Sequence, residues 1–369
     1  MYMRKKLFFA AIAILAATVC VQAQNSRIVE EGGSGSYKAI MMEEPTLTTH
    51  TVFRPQDLSK FNKENPLPVI VWGNGGCANS PSGHINFLND VASQGYLVVA
   101  IGPSNYRQAE APRPGQTGDV PRMGQGGGMS GGTQGGGMPQ MGGQRPQGAP
   151  QGGAQGGRMP QMGGQRPQGA PQGGAQGGAQ GGAQGAGPRM GGMSMGDPAG
   201  LKAALEWAIA QNADRESHYY QILDIDNIAA AGMSCGGLQA LHMSDDARIK
   251  TILVMNSGYF GGEDKASLNR MKQKSVIWIL GGPTDIAYEN GSDDFKQLSG
   301  TMPAFICNLE GIGHGGTYMQ PYGGDYSKVA TAWLNWWLKD DKESSAMFTG
   351  AEPGIGKMAG WSFDRKNIQ

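Results

Sequence analysis

Residues 228–238 read Ile-Ala-Ala-Ala-Gly-Met-Ser-Cys-Gly-Gly-Leu. The four apolar residues form a short continuous run, which reads as a strand buried on both faces. A Gly-x-Ser-x-Gly turn follows, and Leu238 and Leu241 open a helical stretch. Glycines on both sides of Ser234 fit a sharp strand-to-helix elbow that lifts the serine hydroxyl out of a sheet. The pattern alone decides nothing, because it also occurs at 128–132 and 192–196. Neither of those copies has a strand before it. Context selects Ser234.

Working outward, apolar runs recur at 69–72, 97–101, 251–255, 276–280 and 304–309, each bounded by Gly, Pro or Asn. Helical patterns lie between them. Leu201, Ala204, Leu205, Ala208 and Ile209 share one helix face, as do Ala330, Trp333, Leu334, Trp337 and Leu338. Segments 37–42 and 47–53 alternate apolar and polar residues and read as antiparallel edge strands. The sum is an α/β domain: a doubly wound, mostly parallel sheet of about eight strands with helices on both faces. Only about 20 residues separate the runs ending at 255 and starting at 275, too few for a capping domain.

A serine hydroxyl needs a base against it and a third group to orient that base. In this architecture the partners follow in the order Ser, acid, His, on loops after later strands. Asp285 lies in Gly281-Gly282-Pro283-Thr284-Asp285, after the run at 276–280, and His314 follows the run at 304–309. Both sit at carboxyl ends of strands, where open α/β sheets place their sites. His50 and His84 precede the serine, His218 precedes its strand, and His242 falls within the next helix. Those four read as surface or packing residues. An oxyanion would take one amide from Cys235, directly after the serine. The second comes from the loop Gly73-Asn74-Gly75-Gly76-Cys77, at Gly76. That loop is no phosphate cradle, since neither G-K-[ST] nor a helix-opening G-x-G-x-x-G accompanies it. No metal and no cofactor is expected.

Composition divides the chain. Residues 111–196 hold 32 of the 62 glycines and nine methionines, with no Ile, Leu, Phe, Trp, Tyr, His or Cys. Such a tract cannot offset the entropy of ordering it, so it reads as a disordered, low-complexity insertion, partly repeated every 21 residues. The domain is thus split into 24–110 and 197–369. Residues 1–23 carry Arg4-Lys5-Lys6, an apolar stretch and Val21-Gln22-Ala23, the pattern of a signal peptide, which places the mature protein outside the cytoplasm, periplasmic or extracellular. With net charge zero overall, +3 on the leader and +5 on the tract leave the body eight charges negative. That argues against nucleic acid as a partner, which needs clustered cations. The body also lacks a stretch of about 20 apolar residues that could span a membrane. In an oxidising compartment Cys77, Cys235 and Cys307 leave room for one bridge. Cys77 and Cys235 adjoin the expected oxyanion donors on one wall of a small site, so they are the expected pair, which needs Cα atoms about 4.4–6.8 Å apart. Cys307 reads as a buried small hydrophobe.

The segments W-G-N-G-G-C at 72–77, G-M-S-C-G-G at 232–237, G-G-P-T-D-I-A-Y at 281–288 and G-H-G-G-T-Y at 313–318 resemble secreted α/β-hydrolases. They are similar in particular to the dienelactone-hydrolase and cutinase-like esterases, and W-L-N-W-W-L-K-D at 333–340 is similar to their last helix. The resemblance covers about 47–110 and 198–348. It implies a serine esterase with Ser234, Asp285 and His314 as its triad. The substrate would be a small or polymeric carboxylic ester, such as acylated polysaccharide or polyester. Two features depart from the group: the 86-residue insertion, and cysteine directly after the serine. Other readings are a serine peptidase, or a surface interaction protein that uses the tract while the hydrolase body serves as scaffold.

Overall fold

The computed structural model describes residues 26–104 and 196–369. The leader expected at 1–23 and all but the last residue of the Gly-rich tract lie outside the described residues, so neither reading meets a structural counterpart.

Every apolar run becomes a strand. In chain order the strands are β1 (Ser26–Arg27), β2 (Ala39–Glu43), β3 (His50–Pro55), β4 (Leu67–Gly73), β5 (Leu97–Ile101), β6 (Leu223–Met233), β7 (Ile249–Met255), β8 (Ser275–Leu280), β9 (Ala304–Leu309) and β10 (Trp361–Lys366). The helices are α1 (Ile85–Ser93), α2 (Ala199–Ala213), α3 (Cys235–Leu241), α4 (Tyr288–Gln297), α5 (Gly324–Lys339) and the short α6 (Lys342–Ser345). The ten strands of the described residues form one sheet in the order β1-β2-β3-β5-β4-β6-β7-β8-β9-β10. From β5 to β9 the pairing is parallel. The flanking pairs β1/β2, β2/β3, β3/β5 and β9/β10 are antiparallel.

Among the described residues the expected count of about eight is therefore corrected to ten. β1 is two polar residues and carries no apolar signal. β10 reads Trp-Ser-Phe-Asp-Arg-Lys, with only Trp361 buried and Phe363, Arg365 and Lys366 half-buried, so its sequence has no continuous apolar run. β6 also begins at Leu223, five residues before its apolar run, and shifts register against β7 after Ile228.

The central strands carry apolar runs because both of their faces are covered there. Ile70 and Trp72 of β4 point into one core with α1 and α5, represented by Phe87, Leu88, Val329 and Trp333. Val69 and Val71 point into the other with α2, α3 and α4, represented by Leu201, Leu205, Leu238 and Phe295. Period-2 alternation along one strand thus feeds two cores. The stripe read on α2 is buried at Leu201, Ala204, Leu205 and Ala208, with Ile209 packed at its margin. Trp333 at the middle of α5 is fully buried, and its indole N–H donates to Thr251 Oγ1 of β7 at 2.9 Å, which satisfies the one polar atom it brings inside.

Between β7 and β8, residues 256–274 hold one 3-10 helix, Lys265–Arg270, and no inserted layer. The carboxyl ends of β4, β6, β7, β8 and β9 consequently open on a common edge. No helix among the described residues is long and apolar enough to cross a membrane.

Candidate active site

Ser234 sits between β6 and α3 with φ 53° and ψ −119°, a backbone conformation that costs a non-glycine residue of order 1–3 kcal/mol. Several contacts impose it. The Ser234 amide donates to Met255 O at 2.9 Å, and its carbonyl accepts from Ser257 Oγ at 2.6 Å and Leu238 N at 3.1 Å. The glycines permit the close packing around this turn. A Cβ at Gly236 would lie 2.0 Å from Gly73 O, and one at Gly232 would lie 2.4 Å from Gly236 O, so β4 and α3 approach to backbone contact. The serine side chain stays partly exposed at the top of the sheet.

His314 arrives on the loop after β9. Its Nε2 lies 3.0 Å from Ser234 Oγ, and its Nδ1 lies 2.6 Å from Asp285 Oδ1. Nδ1 therefore carries the proton toward the carboxylate, which leaves Nε2 to accept from the serine hydroxyl. The ring is about one quarter exposed, whereas the Asp285 side chain is fully buried. Burial would raise the Asp285 pKa, but hydrogen bonds from His314, the Ala287 and Gly281 amides and Asn256 outweigh it and hold the carboxyl below its ordinary value. Those donors stand at 3.0 Å (Ala287 N to Oδ1), 3.0 Å (Gly281 N to Oδ2) and 2.7 Å (Asn256 Nδ2 to Oδ2).

The loop after β4 closes the other side. Gly76 has φ 61°, and the space where a Cβ would sit is empty. Asn74 pins this loop: its Oδ1 accepts from Trp72 Nε1 at 3.1 Å, and its Nδ2 donates to Ala78 O at 3.0 Å and Ile101 O at 2.7 Å. Asn74 O in turn accepts the Gly236 amide at 3.1 Å, which ties the loop to the elbow. Cys235 occupies the first position of α3, where an amide has no intrahelical acceptor. Cys77 and Cys235 form a disulfide, with Cα atoms 5.2 Å apart. Cys307 is a buried free thiol, and desolvation pushes its pKa up.

The structure thus brings Ser234, His314, Asp285, Cys235 and the Gly76 loop to one edge of the sheet. The other histidines lie elsewhere in the bonding scheme. His50 is buried and donates to Gly200 O, and His84 is buried against Trp72 and Tyr318. His218 approaches Glu44, and His242 bonds Gly196 O from just beyond the end of α3 rather than within it. No sequence motif assigns a role to Asn74, Asn256, Tyr318 or Tyr326. In sequence Asn256 shows only as a polar residue directly after a buried strand. Among the described residues no group of three or more His, Cys, Asp or Glu is placed to hold a metal ion.

Comparison with known proteins finds no family model that matches the chain and no curated protein that matches it in sequence.

Proposed function

We propose that the protein is an exported serine hydrolase of the α/β-hydrolase fold that cleaves carboxylic esters through an acyl-enzyme. The observation that carries this reading is the hydrogen-bonded line from Ser234 Oγ through the His314 ring to Asp285, on an elbow with strained backbone. Ser234 Oγ attacks the acyl carbonyl while His314 Nε2 takes the hydroxyl proton. Asp285 fixes the ring orientation and stabilises the imidazolium. The amides of Gly76 and Cys235 receive the oxyanion. Collapse passes the proton to the departing alcohol, and a water activated by the same histidine then releases the acid. The short 256–274 connection favours bulky or polymeric acyl esters, since no inserted layer limits access from that side. Ile286 and Met319 extend exposed apolar side chains from the loops that carry Asp285 and His314, a footing for acyl chains. The disulfide and the leader pattern favour an oxidising compartment.

Turnover of p-nitrophenyl acetate by the purified protein tests the reading. Ser234→Ala should lower kcat by about 10⁴-fold or more with the fold intact. Retention of turnover in that variant would overturn it.

A further inference from the structure

Asn256 is fully buried directly after β7 and adopts φ 43°, a left-handed conformation that asparagine tolerates better than most residues. Its carboxamide bridges the acid and base loops. Nδ2 donates to Asp285 Oδ2 at 2.7 Å and meets Gly313 O at 3.3 Å and Tyr326 Oη at 3.2 Å. Oδ1 accepts from Tyr318 Oη at 2.6 Å. Gly313 directly precedes His314, and Tyr326 lies on α5. One side chain therefore joins the loop after β8, the loop after β9 and a helix of the core. Its backbone is fixed as well, because the Asn256 amide donates to Ile279 O at 2.8 Å.

We propose that Asn256 is a positioning residue for the Asp285–His314 pair, holding Oδ2 of the carboxylate so that Oδ1 faces His314 Nδ1, with Tyr318 fixing the amide's own orientation. This rests on the esterase reading above. The chemistry requires an amide there. Tyr318 donates to Oδ1, so the opposite end must be NH₂, which donates to Oδ2 of the Asp285 carboxylate. A carboxylate at 256 would accept from Tyr318 equally well but would set two acids in direct contact, and such a pair retains a proton to higher pH. The titratable groups facing the position are Asp285, His314, Tyr318 and Tyr326, with Cys307 beyond Tyr326. Burial raises both tyrosines far above neutrality, so they stay protonated throughout.

Two variants of the full chain separate this role from packing. Asn256→Gly removes the carboxamide while accepting the positive φ. Asn256→Asp keeps the shape and inverts one end. With p-nitrophenyl acetate, Asn256→Gly should lose about a hundredfold in kcat with KM little changed, as for slight misplacement of a reacting group. Asn256→Asp should move the acid limb of the kcat/KM profile upward by a pH unit or more. In an Asp285→Asn background, Asn256→Gly should cost nothing further. Wild-type turnover and pH profile in both variants, or an equal loss in the Asp285→Asn background, would overturn the proposal. If Asn256→Gly does not fold, the Asn256→Asp profile decides by itself. Ser234→Ala run alongside distinguishes the levels: an inactive Ser234→Ala with unaffected Asn256 variants overturns the positioning role alone. An active Ser234→Ala overturns both.

Discussion

Single side chains around Ser234 make sharply different demands on their surroundings. Asp285 is buried yet charged, and it survives because four donors surround its two oxygens. Under the esterase reading, Asp285→Ala and His314→Ala should each lower kcat by several powers of ten. The double variant should be hardly worse than either, since residues that act as a unit do not add. Steady-state rates on p-nitrophenyl acetate check this, and additive losses would separate the two roles. His84 makes a different prediction. Buried between Trp72 and Tyr318 with an unpartnered Nδ1, it is held by desolvation at about 4. An unfolded histidine titrates near 6.5, so between these values the unfolded chain binds a proton that the native state excludes. Its contribution to stability is full above about 6.5 and is lost as pH falls toward 4, by about 3 kcal/mol across the window at about 1.4 kcal/mol per unit. Urea unfolding of wild type and His84→Phe at several pH values should show a shallower acid-side decline in the variant. Parallel declines would mean that another group carries the effect.

At the scale of elements, the loop after β4 and the start of α3 act as one piece. Gly73 and Gly236 bring their backbones into contact, the Gly236 amide bonds Asn74 O, and the Cys77–Cys235 disulfide links loop to helix covalently. The two amides proposed for the oxyanion, on Gly76 and Cys235, therefore belong to elements whose separation is fixed before any substrate arrives, which is what preorganised stabilisation requires. Replacing both Cys77 and Cys235 by Ser should lower stability by about 2–5 kcal/mol. It should also lower kcat more than it raises KM, because the loop and helix would no longer be held at one spacing. Thermal melts and kinetics on the same preparation test both halves. Unchanged kcat in a folded, bridge-free variant would show that Asn74 and the glycine contact suffice.

For the whole molecule, the question is how a domain interrupted by some ninety residues keeps one sheet. The described chain leaves after β5 and returns at α2, and those two points are adjacent: a Cβ on Gly200 would lie 2.7 Å from Ile101 Cδ1, and His50 of β3 donates to Gly200 O at 3.0 Å. A short connection can span that gap. Joining Ala111 to Asp197 through a brief Gly-Ser link should leave the melting temperature and small-ester kcat/KM near wild type, since the cost of closing a flexible loop changes by only about 0.6 kcal/mol per doubling of length. Circular dichroism melts and p-nitrophenyl acetate rates check it. Collapse of either would make the tract a working part of the domain. A loss confined to anionic polymeric esters, shrinking with salt, would instead give its six arginines a substrate-gathering role.

The parts whose signal is local are legible along the chain. Strand runs such as 252–255 are apolar because both faces are covered, and the glycines beside Ser234 mark a turn that larger residues cannot make. The order of Ser234, Asp285 and His314 along the chain, each after a strand, was enough to bring all three to one edge once the sheet was parallel. The adjacency of Cys77 and Cys235 followed from the same topology. Tertiary structure alone decided the rest. β1 and β10 join the sheet through backbone hydrogen bonds to β2 and β9, which any non-proline residue can make and no side-chain pattern announces. Asn74 and Asn256 look in sequence like ordinary loop asparagines. What distinguishes them is burial together with partners from distant segments, Ile101 for one and Asp285, Gly313, Tyr318 and Tyr326 for the other. A hydrogen-bond network is a property of positions in space, and periodicity along a chain carries no record of which polar atoms will meet once its loops have closed.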